Sequence, residues 1–159
     1  MSAGEGMLYP VESVDGVVTA IGGRALRKLC AEAVAELPGG RLEPGQAAIT
    51  LSGGLERSFG YIIHTVPPFA SDPDCDELAA ACYHSVVALG RRHDIDSLAL
   101  PLLGTGSRGQ GLQAGAKIAA RALGACGDGR MLHVCVVVNS HDAEQGAGAA
   151  LDDEFSSPA

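Results

Sequence analysis

The stretch "SLALPLLGTGSRGQGLQAGAKIAARAL", residues 97–123, combines an apolar run, a glycine-rich loop and a helical pattern. The loop holds Gly104, Gly106, Gly109 and Gly111. Glycine has no Cβ, so a glycine loop lets the backbone come close to a ligand. Free N–H groups and the dipole at the start of a helix attract anions. The stretch therefore predicts a strand, a loop whose N–H groups bind phosphate or diphosphate in an open cleft, and a helix.

Side chains of the same loop also suit an anion. Thr105 and Ser107 offer hydroxyl donors, and Arg108 can pair with a phosphate oxygen. A glycine-rich turn between a strand and a helix can also exist without any ligand, and this interpretation stays open.

A dinucleotide fingerprint has the same spacing as Gly104, Gly106 and Gly109. That fingerprint requires an acidic residue at the end of the next strand, about 20 residues further on. The next strand of this chain ends in Asn139 instead. The sequence therefore favours a phosphate loop over a Rossmann domain.

The composition limits the class of protein and its partners. The chain has 159 residues, of which 47% are hydrophobic and 4% aromatic, which suits one α/β domain with an aliphatic core. The net charge of −8 argues against direct nucleic-acid binding, and no apolar run approaches the ~20 residues of a membrane span. The N-terminus has neither the basic start nor the apolar segment of a signal peptide.

The five cysteines are odd in number and form no Cys-x-x-Cys pair, which predicts free thiols in a reducing compartment, cytoplasmic or nuclear. A zinc site built from Cys75, Cys82 and His84 lacks the usual ligand spacing. We therefore expect neither a metal nor a cofactor.

Hydrophobic periodicity and turn residues predict an alternation of helices and strands, which is typical of a sheet covered by helices. The predicted helices cover residues 22–37, 76–93 and 111–124, and the predicted strands cover 46–51, 60–66, 96–103 and 131–139. The flanks read as an N-terminal coil over 1–13 and a flexible acidic tail over 141–159.

Several segments together resemble a macro domain, the ADP-ribose-binding fold. They are "GYIIHTVPP", "CYHSVVAL", "SLALPLLGTGSRG" and "LHVCVVVN", and upstream "DGVVTAIGGRALRKLC" resembles the family's first ligand loop and the helix after it. The resemblance covers about residues 14–140. It implies a three-layer α/β/α fold with a mixed sheet and helices on both faces.

The resemblance also assigns a ligand site. The loop from Gly104 to Gln110 would wrap the diphosphate and distal ribose, and the first loop would close the other side. Residues after the last strand would line the adenosine end or the ribose. The implied ligand-binding residues are Gly16, Val17, Gly104, Thr105, Gly106, Ser107, Arg108, Gly109, Gln110 and Asn139.

The front of the chain departs from the family. Its first strands are reduced or missing, and nothing matches the family's adenine-reading acid or the Asn-containing segment before the first loop. The family's glycine run is reduced to Gly16, which follows Asp15. The resemblance therefore implies a module that binds ADP-ribose or an ADP-ribosylated protein mainly through diphosphate.

Two alternatives remain. One is an ADP-ribosyl hydrolase that removes mono-ADP-ribose from proteins, with water positioned by Asp15 or by backbone alone. The other is a structural subunit that kept the fold without ligand binding. Lost strands would also leave a sheet edge that a protein partner or a second copy could cover.

Overall fold

The computed structural model describes residues 13–127 and 133–156. The helices in these ranges are α1 (Val14–Ala35), α2 (Cys75–Arg92), α3 (Leu112–Gly124) and α4 (His141–Ser156). The strands are β1 (Ala47–Leu51), β2 (Tyr61–Thr65), β3 (Ser97–Pro101) and β4 (His133–Val137). The predicted order of three helices and four strands is confirmed, and α4 is added. The predicted coil lies outside the described residues except for Ser13.

The strands form two hydrogen-bonded pairs. Strands β1 and β2 are antiparallel, with Ile49 opposite Ile63. Strands β3 and β4 are parallel, with Ala99 opposite Cys135. Both strand directions thus occur, as the mixed sheet requires, but among the described strands β2 and β3 do not pair with each other.

Helices cover both faces of the β1–β2 pair. Helix α1 covers the face of His64, whose Nε2 lies 3.8 Å from the thiol of Cys30. Helix α2 covers the other face, where Ile63 packs against the core around Tyr83. The predicted α/β fold with helices on both faces is confirmed for this pair.

The β3–β4 pair is covered on one face in the described part of the chain. Leu98, Leu100, Val134 and Val136 point into the core shared by α2, α3 and α4. The alternate residues Ala99, Cys135 and Val137 are exposed. The core therefore lies on one side of this pair.

Residues 141–156 form α4, so the predicted flexible tail is wrong for this segment. Its inward face consists of Ala143, Ala147 and Ala150, all buried, and α4 packs along α3. The N–H of Ala143 bonds to the Ser140 hydroxyl at 3.2 Å, which caps the helix start. Because alanine side chains are small, this face allows α4 to approach α3 closely, although the other residues of α4 are mostly polar.

Helix α1 begins at Val14, eight residues before the predicted helix start at 22. Two helical stretches meet at Gly23, where φ is 61° and ψ is −151°. The segment expected to form the first ligand loop is therefore helical. No helix in the described ranges is long and apolar enough to cross a bilayer.

Candidate functional site

The strand, glycine loop and helix predicted over residues 97–123 are confirmed. Two backbone hydrogen bonds of 3.0 Å shape the loop, from the Gln110 N–H to the Gly104 carbonyl and from the Gly109 N–H to the Gly106 carbonyl. Gly104 and Gly109 have φ values of 84° and 78°, a region that side-chain-bearing residues rarely adopt. Two of the four glycines are thus needed for the loop's own shape.

Gly106 has a different role, because its φ is not positive and a Cβ built there meets no atom within 4 Å. The N–H groups of Gly106, Ser107 and Arg108 donate to no acceptor within the described ranges. They precede the start of α3, whose first N–H groups and dipole add partial positive charge. This side of the loop has the features of an anion-binding surface.

A second loop, which follows β2, contacts the glycine loop. The Arg108 guanidinium lies 4.2 Å from the centre of the Phe69 ring. The carbonyl of Arg108 accepts a hydrogen bond of 2.9 Å from the Ala70 N–H. The Arg108 Nε is buried and has no hydrogen-bond partner in the part of the chain that the structure describes. Within the described ranges, an arginine with an unpartnered donor thus lies beside N–H groups that have no acceptor.

Two predicted ligand-binding side chains instead stabilise the loop. The Thr105 hydroxyl donates to the Leu102 carbonyl at 2.8 Å. Gln110 is buried, and its amide nitrogen lies 3.5 Å from an Asp76 carboxylate oxygen. Ser107 is exposed, and its hydroxyl remains a candidate donor to a ligand.

The two ligand-binding residues predicted near the start of the chain, Gly16 and Val17, use their N–H groups within a helix. Gly16 and Val17 lie in the first turn of α1, where their N–H groups bond to the hydroxyl and carbonyl oxygens of Ser13 at 3.0 and 2.9 Å. The predicted loop is wrong here, because Ser13 caps a helix. Asn139 is exposed just after β4, next to the α4 cap.

The sequence profile of the Macro domain family matches residues 3–119. This chain belongs to the Macro domain family. The matched range begins at residue 3, whereas the resemblance seen in the sequence begins at about residue 14.

Curated macro-domain proteins match about two thirds of the chain. A macro domain-containing protein of Streptomyces griseus is 35% identical over 111 residues, which are 69% of this chain and 62% of that protein. The O-acetyl-ADP-ribose deacetylase of Klebsiella pneumoniae is 32% identical over 112 residues, 69% of this chain and 62% of that protein. The ADP-ribose glycohydrolase MACROD2 of Xenopus laevis is 35% identical over 109 residues, 67% of this chain and 24% of that protein. The chain thus spans under two thirds of these relatives.

Solved macrodomains share the fold over most of the chain. The Oceanobacillus iheyensis macrodomain with ADP has a TM-score of 0.84 at 27% identity and covers 91% of this chain and 77% of its own. The same macrodomain with MES bound has a TM-score of 0.85 at 27% identity, with 95% and 81% covered. The three-layer assignment from the resemblance agrees with these neighbours.

This macro domain also buries two polar side chains of α1, of which the sequence suggested a role only for Asp15. Asp15 and Thr19 lie one turn apart on the inner face of α1 and are 4% and 5% exposed. Both carboxylate oxygens of Asp15 and the hydroxyl of Thr19 lack a hydrogen-bond partner in the described ranges. Burial raises the pKa of Asp15 above its usual value.

Burial favours the neutral forms of Cys30, which interacts with the charge of Asp15, and of His64, which contacts Cys30. Burial, followed by the charge of Asp15, raises the pKa of the Cys30 thiol. Burial lowers the pKa of His64 to about 4, and the Thr50 hydroxyl lies 2.9 Å from its Nε2. Among the described residues, no group of three or more His, Cys, Asp or Glu side chains could hold a metal.

Proposed function

We propose that this macro domain binds ADP-ribose, free or attached to a protein, and holds it mainly by the diphosphate at the glycine loop. The observation that carries the proposal is the run of three N–H groups, at Gly106, Ser107 and Arg108, that have no acceptor among the described residues and lie beside the start of α3. Such an arrangement can surround phosphate oxygens without bulky side chains between backbone and ligand.

The charge of the chain makes this local arrangement decisive. A net charge of −8 repels a diphosphate at long range, so affinity depends on directed donors at short range. Arg108 adds the one cation in the loop, held against Phe69 with its Nε unpartnered in the described part of the chain. The relatives support the ligand class, since one is named for ADP-ribose and one solved neighbour contains ADP.

Titration calorimetry with ADP-ribose, ADP and AMP tests the proposal. We expect ADP-ribose and ADP to bind and AMP to bind much more weakly, because AMP carries one phosphate. Weak adenine selectivity is also expected, since the resemblance gives no counterpart of the adenine-reading acid. If neither diphosphate ligand releases heat at high protein concentration, the structural-subunit alternative takes its place.

A second candidate function, ADP-ribosyl hydrolysis, is favoured by Asp15. A buried carboxyl with no partner in the described ranges and a raised pKa suits proton transfer near neutral pH better than an ordinary aspartate. The Asn-containing segment that the family's hydrolases use has no match in this sequence, so we expect turnover to be slow or absent. Release of ADP-ribose from a mono-ADP-ribosylated acidic substrate measures this activity.

A further inference from the structure

Two successive side chains of α2 form hydrogen bonds with the backbone just beyond the ends of β2 and β3. The two loops of the candidate site begin at these points. The Tyr83 hydroxyl accepts a hydrogen bond of 2.8 Å from the N–H of Leu103, which precedes Gly104. The Cys82 thiol donates to the carbonyl of Val66, one residue beyond β2, at 3.3 Å. Both side chains are fully buried. Helix α2 is therefore attached to both loops at their starting points.

Strand pairing does not set the distance between these two starting points. Among the described strands, β2 pairs with β1 and β3 pairs with β4. Successive helix residues point about 100° apart, so Cys82 and Tyr83 reach toward different strands from one place on α2. The two bonds thus fix the exits of β2 and β3 relative to one rigid element.

We propose that Tyr83 is a positioning residue for the anion-binding loop, with Cys82 as its counterpart on the loop after β2. The bond to Tyr83 uses the inward N–H at Leu103. Further along the loop, the N–H groups of Gly106, Ser107 and Arg108 have no acceptor among the described residues and remain for a ligand. The part of this inference that concerns ligand affinity rests on the proposed function.

The physical reason is the cost of a buried donor without an acceptor. Leu103 is 5% exposed, so its N–H cannot turn to water if the phenol oxygen is removed. The peptide would rotate to find another acceptor, which would move Gly104 and the loop after it. Burial raises the pKa of Tyr83 to about 12, so the phenol stays neutral at physiological pH and the acceptor carries no charge.

The glycine loop and the loop after β2 contact each other, so a displacement of one affects the other. The Arg108 carbonyl bonds to the Ala70 N–H, and the Arg108 side chain lies over Phe69. A displaced glycine loop therefore loses its contacts with the loop after β2, and the reverse holds for a change at Cys82.

The test compares Tyr83→Phe with Tyr61→Phe, a matched control at a tyrosine that is 44% exposed. Amide hydrogen exchange of the ligand-free protein is measured by NMR, and affinity for ADP-ribose by calorimetry. We expect Tyr83→Phe to speed exchange at Leu103, Gly109 and Gln110, to leave α1 amides unchanged, and to weaken ADP-ribose binding about tenfold. We expect Tyr61→Phe to change neither.

Loop exchange and affinity that both equal wild type in Tyr83→Phe overturn the inference, as does faster exchange spread evenly over the whole protein. A wild type that does not bind ADP-ribose refutes the proposed function, while the exchange data still decide the role of Tyr83. If Tyr83→Phe does not fold, Cys82→Ala gives the corresponding test. Faster exchange at the Ala70 amide in Cys82→Ala supports the proposed positioning of the two loops by α2, and unchanged exchange there overturns it.

Discussion

The backbone carbonyl of Arg108 accepts a hydrogen bond from the N–H of Ala70 at 2.9 Å. This bond joins two loops that follow different strands, and no strand pairing links those strands in the described ranges. The candidate site is therefore a property of two loops together. In the glycine loop, Gly104 determines the backbone conformation and Gly106 leaves space for a ligand, so the two positions are tested by different variants.

Gly106→Glu tests the space beside the loop. The φ at this position is not positive and a Cβ meets no atom within 4 Å, so we expect an unchanged melting temperature. A carboxylate a few ångströms from a diphosphate costs several kcal/mol near a protein surface, so affinity for ADP-ribose should fall roughly a hundredfold or more. Calorimetry and thermal unfolding measure the two effects.

Gly60→Glu is the matched control, since a Cβ there also meets no atom within 4 Å. It lies at the opposite end of β2 from the site and adds the same charge. Binding at full strength by Gly106→Glu would show that the loop is not the site.

Gly104→Ala tests the shape of the loop. Its φ is 84° and a Cβ would lie 2.8 Å from the side-chain oxygen of Gln110. We expect a loss of about 1–3 kcal/mol in the free energy of unfolding, measured with urea. Gly39→Ala is the control for φ alone, because its φ is 74° and nothing lies within 4 Å. Equal losses in the two variants would contradict the predicted contact with Gln110.

The buried His64 predicts a pH dependence of stability. Its pKa is lowered from 6.5 to about 4 by burial, so the unfolded chain takes up a proton at this residue before the folded protein does. This contribution to stability is present above pH 6.5 and is lost as pH falls toward 4. The raised pKa of Asp15 acts in the opposite direction at acidic pH.

Urea unfolding of His64→Gln across pH 4 to 7.5 measures the contribution of His64. We expect a flatter decline of stability toward low pH than in wild type, because Gln does not titrate. A His64→Gln profile that is parallel to wild type would refute the role assigned to His64.

Asp15→Ala separates binding from hydrolysis. We expect wild type to release ADP-ribose slowly or not at all, because misplacing the attacking water by ~1 Å costs on the order of a hundredfold. Asp152→Ala, at an exposed position on α4, serves as the control. Robust turnover in wild type that collapses only in Asp15→Ala would establish the hydrolase and overturn the binding module as the main function.

Much of the fold follows from local patterns. The spacing of Leu78, Cys82 and Val86 and the β-branched run ending at Val66 predict a helix and a strand whose observed bounds each differ by one residue. Hydrophobic periodicity predicts these elements because their apolar faces are buried in the core. The glycine loop was also predictable, since its glycines follow a buried strand.

The start of α1 could not be predicted from periodicity. Its first turns bury Asp15 and Thr19 and expose Val17 and Ile21, which is the reverse of an ordinary amphipathic helix. The signal that could have placed the start is Ser13, whose hydroxyl caps the N–H of Gly16.

The contacts that complete the site escaped the sequence for another reason. Tyr83, Phe69 and Asp76 lie on elements distant in the chain from the glycine loop, and each meets it by a single contact. Only the packing of α2 against two strand pairs brings them together. A single sequence carries no local pattern for such contacts.

The pairing of strands that are neighbours in the chain has a consequence for how the protein folds. Residues 52–60 connect β1 to β2, and α3 lies between β3 and β4, so each pair can form within its own stretch of chain. Contacts between residues close in sequence lose little loop-closure entropy and form early. We therefore expect the docking of the two strand pairs onto α2 to come later, and the candidate site is complete only after that step.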